Sequence, residues 1–314
     1  IGPRDDVVVP SLSFIATANA VTYVGARPVF ADVEPDTGNV SARTLAAALT
    51  PSTRAVIVVD QGGMPVDLLP IRALCDGLGI TVIEDAACAA GSTYRGRPVG
   101  AGAELAAWSF HPRKILTTGE GGMLTTHNAA WADRARKLRE HAMSVSANDR
   151  HSAVLAPPEE YGEIGFNYRM TDMQAAVGLV QLGRLDEAVA RRRAIVATYR
   201  EALSGVAGLR FSQDPPYGTS NFQSFWFELL PDFVLGREEL LERLANDGIS
   251  ARRGIMAAHR QPAYAGLNTG RADLSVTERL TDHTVILPVY HQLTPDEQSR
   301  VIDSILKAAG NSDD

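Results

Sequence analysis

Short apolar runs alternate with longer amphipathic stretches along the first half of the chain. The runs are nearly continuous in branched residues, which is typical of parallel strands that are covered on both faces. They predict strands over Val7–Pro10, Pro28–Val33, Ala55–Val59 and Thr81–Asp85. The stretches between them predict helices over Ser13–Val24, Ala42–Leu49 and Leu69–Leu78, with Ser41 as the N-cap of the second. This βαβ order predicts a three-layer α/β domain with a mostly parallel sheet.

The periodicity changes in the second half. Met143–Gly162 has no regular apolar spacing and contains two adjacent prolines, so we expect a long loop there. Thr171–Leu203 predicts one long helix, and we place a domain boundary within it, between a large domain (residues 1–190) and a smaller C-terminal α/β domain (residues 191–314). The elements predicted for the small domain are the strands Phe222–Leu229 and Val285–Val289 and the helices Arg237–Asp247 and Thr294–Ala308.

Composition places the chain among ordinary globular proteins and narrows its partners. Of the 314 residues, 45% are hydrophobic and 21% are charged, which excludes a disordered or fibrous chain. The net charge of −7 argues against a nucleic-acid partner or an anionic membrane surface. No apolar run approaches the roughly 20 residues of a membrane span. The two cysteines, Cys75 and Cys88, are too few for a disulfide framework, so we expect a cytoplasmic location.

Two segments carry residues that suit cofactor chemistry, whereas the usual nucleotide-binding, metal-binding and serine-hydrolase motifs are missing from the sequence. Asp85 ends an apolar strand, and the carboxyl ends of parallel strands are where α/β proteins bind ligands. The alternative is that Asp85 caps the next helix. Lys114 lies between a short strand and the glycine-rich Thr117–Met123, an unusual position for a lysine. The alternative there is a surface turn whose glycines only supply positive φ angles.

Four motifs, in order, resemble those of the DegT/DnrJ/EryC1/StrS family of sugar aminotransferases, which use pyridoxal phosphate (PLP). They stand at Glu84–Tyr94, Ser109–Lys114, Thr118–Gly122 and Asn167–Asp172. The resemblance begins at Ile1 and weakens beyond Leu203. It implies the aspartate-aminotransferase-like fold, fold type I of the PLP-dependent transferases, in which a large PLP-binding domain precedes a small one.

The resemblance also implies the cofactor contacts. Lys114 would bond to the cofactor aldehyde as a Schiff base and then move the proton of the 1,3-shift, while Asp85 would keep the pyridine nitrogen protonated. Ser109 would hydrogen-bond the phosphate. Phe14 would stack on the cofactor ring, although a phenylalanine in an apolar helix also suits core packing. Asn167 would reach the phosphate of the neighbouring subunit, which implies a homodimer with shared active sites.

Three further residues are candidate substrate contacts. His111, three residues before Lys114, either touches substrate or only packs. Arg169 either pairs with an anionic group or braces the dimer contact. His259 resembles a family segment near the substrate pocket, but a loop histidine that hydrogen-bonds the backbone is the interpretation that we prefer. Because the histidines are scattered, we expect no metal site.

The chain departs from the family pattern in two places. Cys88 stands where many relatives carry Gln or His against the cofactor, and because a thiol is a poorer hydrogen-bonding group we expect a weaker or shifted contact there. The family's phosphate-binding Gly-Thr-x-Ala-Leu segment would precede Ile1, which is not a methionine. We therefore expect the natural protein to be longer at its N-terminus.

These implications predict a PLP-dependent aminotransferase. The amino donor would be an amino acid, in our expectation glutamate, and the acceptor a nucleotide-linked keto sugar in amino-sugar biosynthesis. An aminocyclitol ketone is the nearest alternative acceptor. A non-catalytic regulator on the same scaffold is another interpretation, and the intact Lys114, Asp85 and Ser109 count against it. A nicotinamide-dependent oxidoreductase ranks last, because the glycine fingerprint of its cofactor site is missing.

Overall fold

Six strands form the main sheet, which is parallel except at one edge. A computed structural model describes residues 1–145, 158–266 and 272–310. The strands of the main sheet are β1 (Asp6–Pro10), β2 (Arg27–Ala31), β3 (Thr53–Val59), β4 (Thr81–Asp85), β7 (Leu105–Ser109) and β8 (Gly122–Thr126). Their order is β2-β1-β3-β4-β7-β8, and only β8 runs antiparallel to its neighbour. The short strands β5 (Thr93–Tyr94) and β6 (Arg97–Pro98) form a hairpin outside this sheet.

Helices cover both faces of the main sheet. The covering helices of the first half are α1 (Ala16–Tyr23), α2 (Ala42–Ala48) and α3 (Leu68–Asp76), with α4 (Ala129–Leu138) following β8. Val56 of β3 shares a core with Leu45 of α2, whereas the next residue, Ile57, shares the opposite core with Val21 of α1. This alternation is the signature of a strand that is buried on both sides. The predicted three-layer, mostly parallel α/β fold is confirmed, and so is the Ser41 cap, whose hydroxyl accepts a hydrogen bond from the Thr44 amide.

The C-terminal residues build a second sheet with its own aromatic core. It is antiparallel, in the order β12-β13-β11-β9. Its strands are β9 (Leu209–Phe211), β11 (Phe225–Leu229), β12 (Arg252–Arg253) and β13 (Thr284–Leu287), while β10 (Gly218–Thr219) pairs with β5. The covering helices are α7 (Arg237–Asn246), α8 (Ser275–His283) and α9 (Pro295–Ala308). Phe225 stacks between Tyr199 and Phe211, with ring centroids 5.9 and 5.8 Å apart. The domain boundary at residue 190 stays a prediction.

The prediction of a single helix over Thr171–Leu203 is wrong. The segment forms two helices, α5 (Asp172–Leu182) and α6 (Leu185–Leu203), and Gly183 and Arg184 separate them. Glycine is a poor helix former, and Arg184 leaves helical geometry with φ −106° and ψ 0°. Neither of these helices, nor any other in the described residues, is long and apolar enough to cross a bilayer.

Three further predictions need correction or fall partly outside the described residues. The strand predicted over Phe222–Leu229 begins only at Phe225, because Phe222 has a left-handed backbone with φ +48°. The helix predicted from Ser13 begins at Ala16. The loop predicted over Met143–Gly162 includes residues 146–157, which lie outside the described residues.

Candidate active site

The carboxyl ends of β4 and β7 bring the two predicted catalytic segments to one edge of the main sheet. Asp85 ends β4 and pairs with Ala107 of β7. Ser109 ends β7, and the chain continues from it into the segment that carries Lys114. Because neighbouring parallel strands end at the same edge, Asp85 and the Lys114 segment are neighbours in the fold.

Asp85 is a half-buried carboxylate with two hydrogen bonds. Its Oδ2 accepts from the Thr17 hydroxyl at 3.1 Å, and its Oδ1 accepts from the Ala87 amide at 3.1 Å. Burial raises the pKa of Asp85, whereas the two hydrogen bonds and the nearby Lys114 ammonium act in the opposite direction. The chain after Asp85 forms turns rather than a helix, so the helix-cap alternative does not hold. The site therefore holds a carboxylate that a neighbouring cation stabilises.

Lys114 points into the same site. Its Nζ lies 3.0 Å from the Sγ of Cys88, and its side chain is half-buried. The Lys114 amide donates to the His111 carbonyl at 2.9 Å, which closes the turn after β7. The alternative of a mere surface turn does not account for Lys114, because the amine is held beside Cys88 and is close enough to Asp85 to oppose part of the rise in the pKa of that carboxyl.

Phe14 and Ser109 lie on the segments that flank this pair. Phe14 is 64% exposed, so the core-packing alternative is wrong. Its carbonyl accepts from the amide of Thr17, the residue that also bonds Asp85, and this places Phe14 beside the site. The Oγ of Ser109 accepts a long hydrogen bond, 3.4 Å, from the His111 amide. The stacking role of Phe14 and the phosphate contact of Ser109 stay predictions.

The two candidate substrate histidines differ in how fully other groups of the protein engage their ring nitrogens. His111 accepts a hydrogen bond at Nδ1 from the Arg113 amide at 3.2 Å, and its Nε2 lies 4.0 Å from a Glu120 carboxylate oxygen. His111 therefore stands at the site with its Nε2 only loosely engaged.

His259 is tied to the protein through both ring nitrogens. Nδ1 lies 2.6 Å from the Ser11 hydroxyl, and Nε2 lies 3.2 Å from a Glu278 carboxylate oxygen. Within the described ranges, no hydrogen bond joins His259 to Asp85 or Lys114. This geometry favours the structural interpretation of His259, in which it fastens the C-terminal half to the end of β1.

Asn167 and Arg169 lie on an exposed segment that leads into α5. Neither side chain hydrogen-bonds Asp85 or Lys114 in the part of the chain that the structure describes. The same segment and α5 carry a set of exposed large apolar side chains, which we call the apolar face: Ile164, Phe166, Tyr168, Met173, Val177, Leu179, Val180 and Leu182. Gln174 of α5 donates to the Glu120 carbonyl at 2.9 Å, which joins the apolar face to the glycine-rich segment that follows Lys114.

A pair of buried carboxyl groups lies beneath the site, at the ends of β3 and β4. Asp60 and Glu84 are 0% and 2% exposed. Asp60 accepts from the Val66 amide through Oδ1, and its other oxygen faces Glu84. Burial raises the pKa of both groups, that of Glu84 to about 7. The neighbouring Glu84 charge also raises the pKa of Asp60, because two carboxylates buried side by side repel each other, so the pair favours retention of a proton.

Sequence reasoning missed three residues that hold this site together. Thr17 bonds Asp85, Asn221 donates to the Cys88 carbonyl, and Gln223 bonds the backbone on both sides of Lys114. A threonine within the alanine-rich α1 was a weak signal for the first. Asn221 and Gln223 had no signal, because they are distant in sequence and bond only main-chain atoms of the site.

The residues present fit PLP. A primary amine beside a half-buried carboxylate suits a group that has an aldehyde and a basic ring nitrogen, since a ring cation would offset the desolvation of Asp85. The exposed ring of Phe14 offers a flat apolar face, and the hydroxyl of Ser109 suits a phosphate oxygen. No group of three or more His, Cys, Asp or Glu side chains within the described residues could hold a metal ion.

Comparisons with known proteins point the same way. The model of the DegT/DnrJ/EryC1/StrS aminotransferase family matches residues 1–306. GDP-perosamine synthase of Caulobacter vibrioides is 39% identical over 308 residues, which cover 97% of this chain and 79% of that protein. A dTDP-4-dehydro-2,3,6-trideoxy-D-glucose 4-aminotransferase of Saccharopolyspora spinosa is 36% identical over 318 residues, covering 98% of this chain and 79% of that one.

Solved structures share the fold. The aminotransferase TlmJ from Streptoalloteichus hindustanus superposes with a TM-score of 0.89 at 36% sequence identity. The match covers 99% of this chain and 80% of the TlmJ chain. The agreement extends over both sheets, because almost the whole chain takes part in the superposition.

Proposed function

Because the chain belongs to the DegT/DnrJ/EryC1/StrS aminotransferase family, we propose that it transfers an amino group from an amino acid to a nucleotide-linked keto sugar with PLP as its cofactor. The balanced reaction converts an amino acid and a keto sugar into a 2-oxo acid and an amino sugar. The observation that carries the proposal is the Lys114 amine, held 3.0 Å from Cys88 Sγ and beside the Asp85 carboxylate at the carboxyl edge of the main sheet.

The named relatives support the acceptor class. One is a synthase of a GDP-linked sugar and the other aminates a dTDP-linked 4-keto sugar, and both align with nearly the whole chain. The two nucleotides differ, so we leave the base open and commit to a nucleoside diphosphate hexose with a ketone. Glutamate is the donor that we propose.

The roles of the side chains follow from their positions. When bound, PLP supplies an aldehyde that condenses with amines and a ring that takes up an electron pair. Asp85 would hold a proton on the ring nitrogen. Lys114 Nζ would accept the proton from the donor's α-carbon and return it to the carbon that was the cofactor's aldehyde, because its amine lies in the site beside Cys88. Ser109 Oγ would bind the phosphate and Phe14 would exclude water from one ring face.

Cys88 and His111 would act near the reacting atoms, and neither would contact the ring nitrogen of the cofactor. Cys88 Sγ, 3.0 Å from Lys114 Nζ, would orient the amine. His111, with its Nε2 only loosely engaged by Glu120, would approach the substrate from the turn after β7. His259 is engaged by Ser11 and Glu278, so we propose for it a supporting role at the edge of the pocket.

We also propose a homodimer in the cytoplasm. Its interface would be the apolar face, whose side chains include Ile164 at 90% and Met173 at 79% exposed. A concentration of exposed large apolar side chains suits an interaction site, and the contact of Gln174 with the Glu120 carbonyl joins this segment to the glycine-rich segment after Lys114. In such a dimer Asn167 and Arg169 would enter the partner's active site. Both cysteines are free, which suits a reducing compartment.

The function is tested by cofactor binding and a half-reaction. We expect purified protein to gain a visible absorbance band with PLP, and borohydride reduction followed by peptide mapping to place the cofactor on Lys114. Glutamate should remove the band and yield 2-oxoglutarate in one equivalent. A panel of GDP- and dTDP-linked 4-keto hexoses, with a keto-inositol, then identifies the acceptor.

The test variant is Lys114→Ala, and its matched control is Lys307→Ala, which removes an exposed lysine from α9. Lys114→Ala should abolish the band and the half-reaction, whereas Lys307→Ala should leave both unchanged. An unaltered band in Lys114→Ala would contradict the proposal, and so would a band that glutamate leaves intact. Turnover of the keto-inositol alone would replace the sugar acceptor with a cyclitol.

A further inference from the structure

Two residues of the C-terminal half, Asn221 and Gln223, reach across to the loops that carry Cys88 and Lys114, and Phe222 lies between them in the chain. They stand just before β11, the strand that pairs with both β9 and β13 in the second sheet. Asn221 is fully buried and Gln223 is half-buried. Their side chains bond main-chain atoms of the site, so the contacts do not depend on which side chains the site carries.

Gln223 brackets Lys114. Its Nε2 donates to the Arg113 carbonyl at 2.8 Å, and its Oε1 accepts from the Ile115 amide at 2.8 Å. A single amide group thereby satisfies the peptide groups on both sides of Lys114, much as a neighbouring strand would. Rotation of the Lys114 backbone would break at least one of these bonds.

Asn221 holds the Cys88 loop in the same way. Its Nδ2 donates to the carbonyls of Cys88 and Ala90, each at 2.8 Å. Its Oδ1 accepts from the Gln223 amide at 2.7 Å, which couples the two contacts directly. The fit is close, because a Cβ added to Gly63 would lie 1.8 Å from the Asn221 Oδ1.

The backbone between the two amides is held from a third direction. Phe222 has a left-handed φ of +48°, which is uncommon for a residue with a side chain. Its carbonyl accepts at 2.8 Å from the guanidinium of Arg192, itself 7% exposed on α6. The strained turn therefore persists because α6 and the site loops fix it from both sides.

We infer that Asn221 and Gln223 form a clamp that sets the position of Lys114 relative to Cys88, and that Gln223 is a positioning residue of the amino-transfer reaction. The inference rests on the proposed function for the role of Lys114. A consequence is that movement of β11 is transmitted to the amine through one side chain. The clamp thus couples the second sheet to the reacting group.

The test measures the loop without cofactor and then the chemistry. In Gln223→Leu we expect exchange of the Ile115 amide hydrogen, followed by mass spectrometry, to rise about tenfold because its acceptor is lost. We expect the maximal rate of the glutamate half-reaction to fall about tenfold, with the half-saturating glutamate concentration unchanged, because proton transfer depends on the placement of the amine. Gln223→Glu keeps an acceptor for Ile115 and should retain its protection.

Gln298→Leu is the matched control. Gln298 lies in α9, is 5% exposed, and donates to the Ile195 carbonyl at 2.7 Å, so the same substitution removes a comparable bond remote from the site. It should leave Ile115 exchange and the half-reaction unchanged. Wild-type exchange and rates in Gln223→Leu would overturn the clamp, as would an equal response to Gln298→Leu.

Failure of the clamp and failure of the proposed function give different results. If Lys114 does not bond PLP in the unaltered protein, the function fails, while the exchange measurement still decides whether Gln223 holds the loop. If PLP maps to Lys114 and Gln223→Leu behaves as the unaltered protein in both measurements, the function stands and the clamp is rejected.

Discussion

The Asp85–Lys114 site and the apolar face differ in how far their side chains are packed and hydrogen-bonded within a single chain. In the first, the amine contacts Cys88, the carboxylate has two hydrogen bonds, and neighbouring loops are fixed by Gln223. In the second, α5 has no buried residue. A change at the site should therefore act through local contacts, whereas a change on the face should act through association with a partner.

The difference has a physical origin in the sheet. The five parallel strands end at one edge, and β1, β2 and β3 are buried along nearly their whole length, so groups at that edge lie in a rigid and partly desolvated setting. The apolar face adjoins the segment just before β8, the antiparallel edge strand, through the bond from Gln174 to the Glu120 carbonyl. An exposed apolar helix beside a sheet edge is stable only when something covers it.

The largest effect is expected from Asp85→Asn. The amide keeps the shape of the side chain but cannot hold a positive charge on a ring nitrogen, so the rate of amino transfer should fall by about 10²–10³-fold. The rate of the glutamate half-reaction measures it. Asp303→Asn, the same substitution on the exposed side of α9, is the control and should have no effect. A loss below tenfold in Asp85→Asn would mean that this carboxylate does not face the cofactor ring.

The next largest effect is expected from a charge on the apolar face, which should disrupt dimerisation. We expect Val177→Glu to raise the dimer dissociation constant at least about 100-fold, because association would bury an unpaired carboxylate. Sedimentation over a range of concentrations measures this constant. Val234→Glu makes the same change at a residue that is 72% exposed outside the face and should leave it unaltered. A monomeric unaltered protein would refute the interface.

Sequence reasoning found the parts of the site that are encoded locally. Asp85 at a strand end and Lys114 before a glycine-rich turn are visible because parallel-sheet edges and cofactor lysines have short-range signals. It could not find Thr17 or Gln223, since their partners are distant in sequence and chosen by the fold. It also joined α5 and α6 into one helix, because periodicity continues across Gly183 and only the backbone break at Arg184 separates them.

A change of pH should have a smaller effect, on the free energy of unfolding, through the buried Glu84 beneath the Asp85–Lys114 site. Burial raises the pKa of Glu84 from 4.5 to about 7, so its contribution to stability is complete below pH 4.5 and is lost as the pH rises through 7. The free energy of unfolding should fall by about 2–3 kcal/mol between pH 5 and pH 8 from this group, with Asp60 acting in the same direction. Glu84→Gln should reduce this slope in urea titrations, whereas Glu187→Gln on the exposed part of α6 should not. Equal slopes in all three proteins would contradict the raised pKa of Glu84.

The smallest effect comes from two matched helix caps. Thr171 and Thr294 each accept from the amide three residues on, at 3.2 Å, in reciprocal capping boxes that begin α5 and α9. Each Thr→Ala change should cost about 1 kcal/mol. Because α9 packs within one chain, Thr294→Ala should lower the unfolding free energy at every protein concentration. Because α5 contacts its own chain mainly at the glycine-rich segment and would be covered by the partner in the proposed dimer, Thr171→Ala should instead weaken dimerisation, by up to about 30-fold since both subunits carry the change, and have almost no effect on unfolding in the Val177→Glu background. An equal loss of stability from Thr171→Ala in that background would show that one chain stabilises α5 by itself.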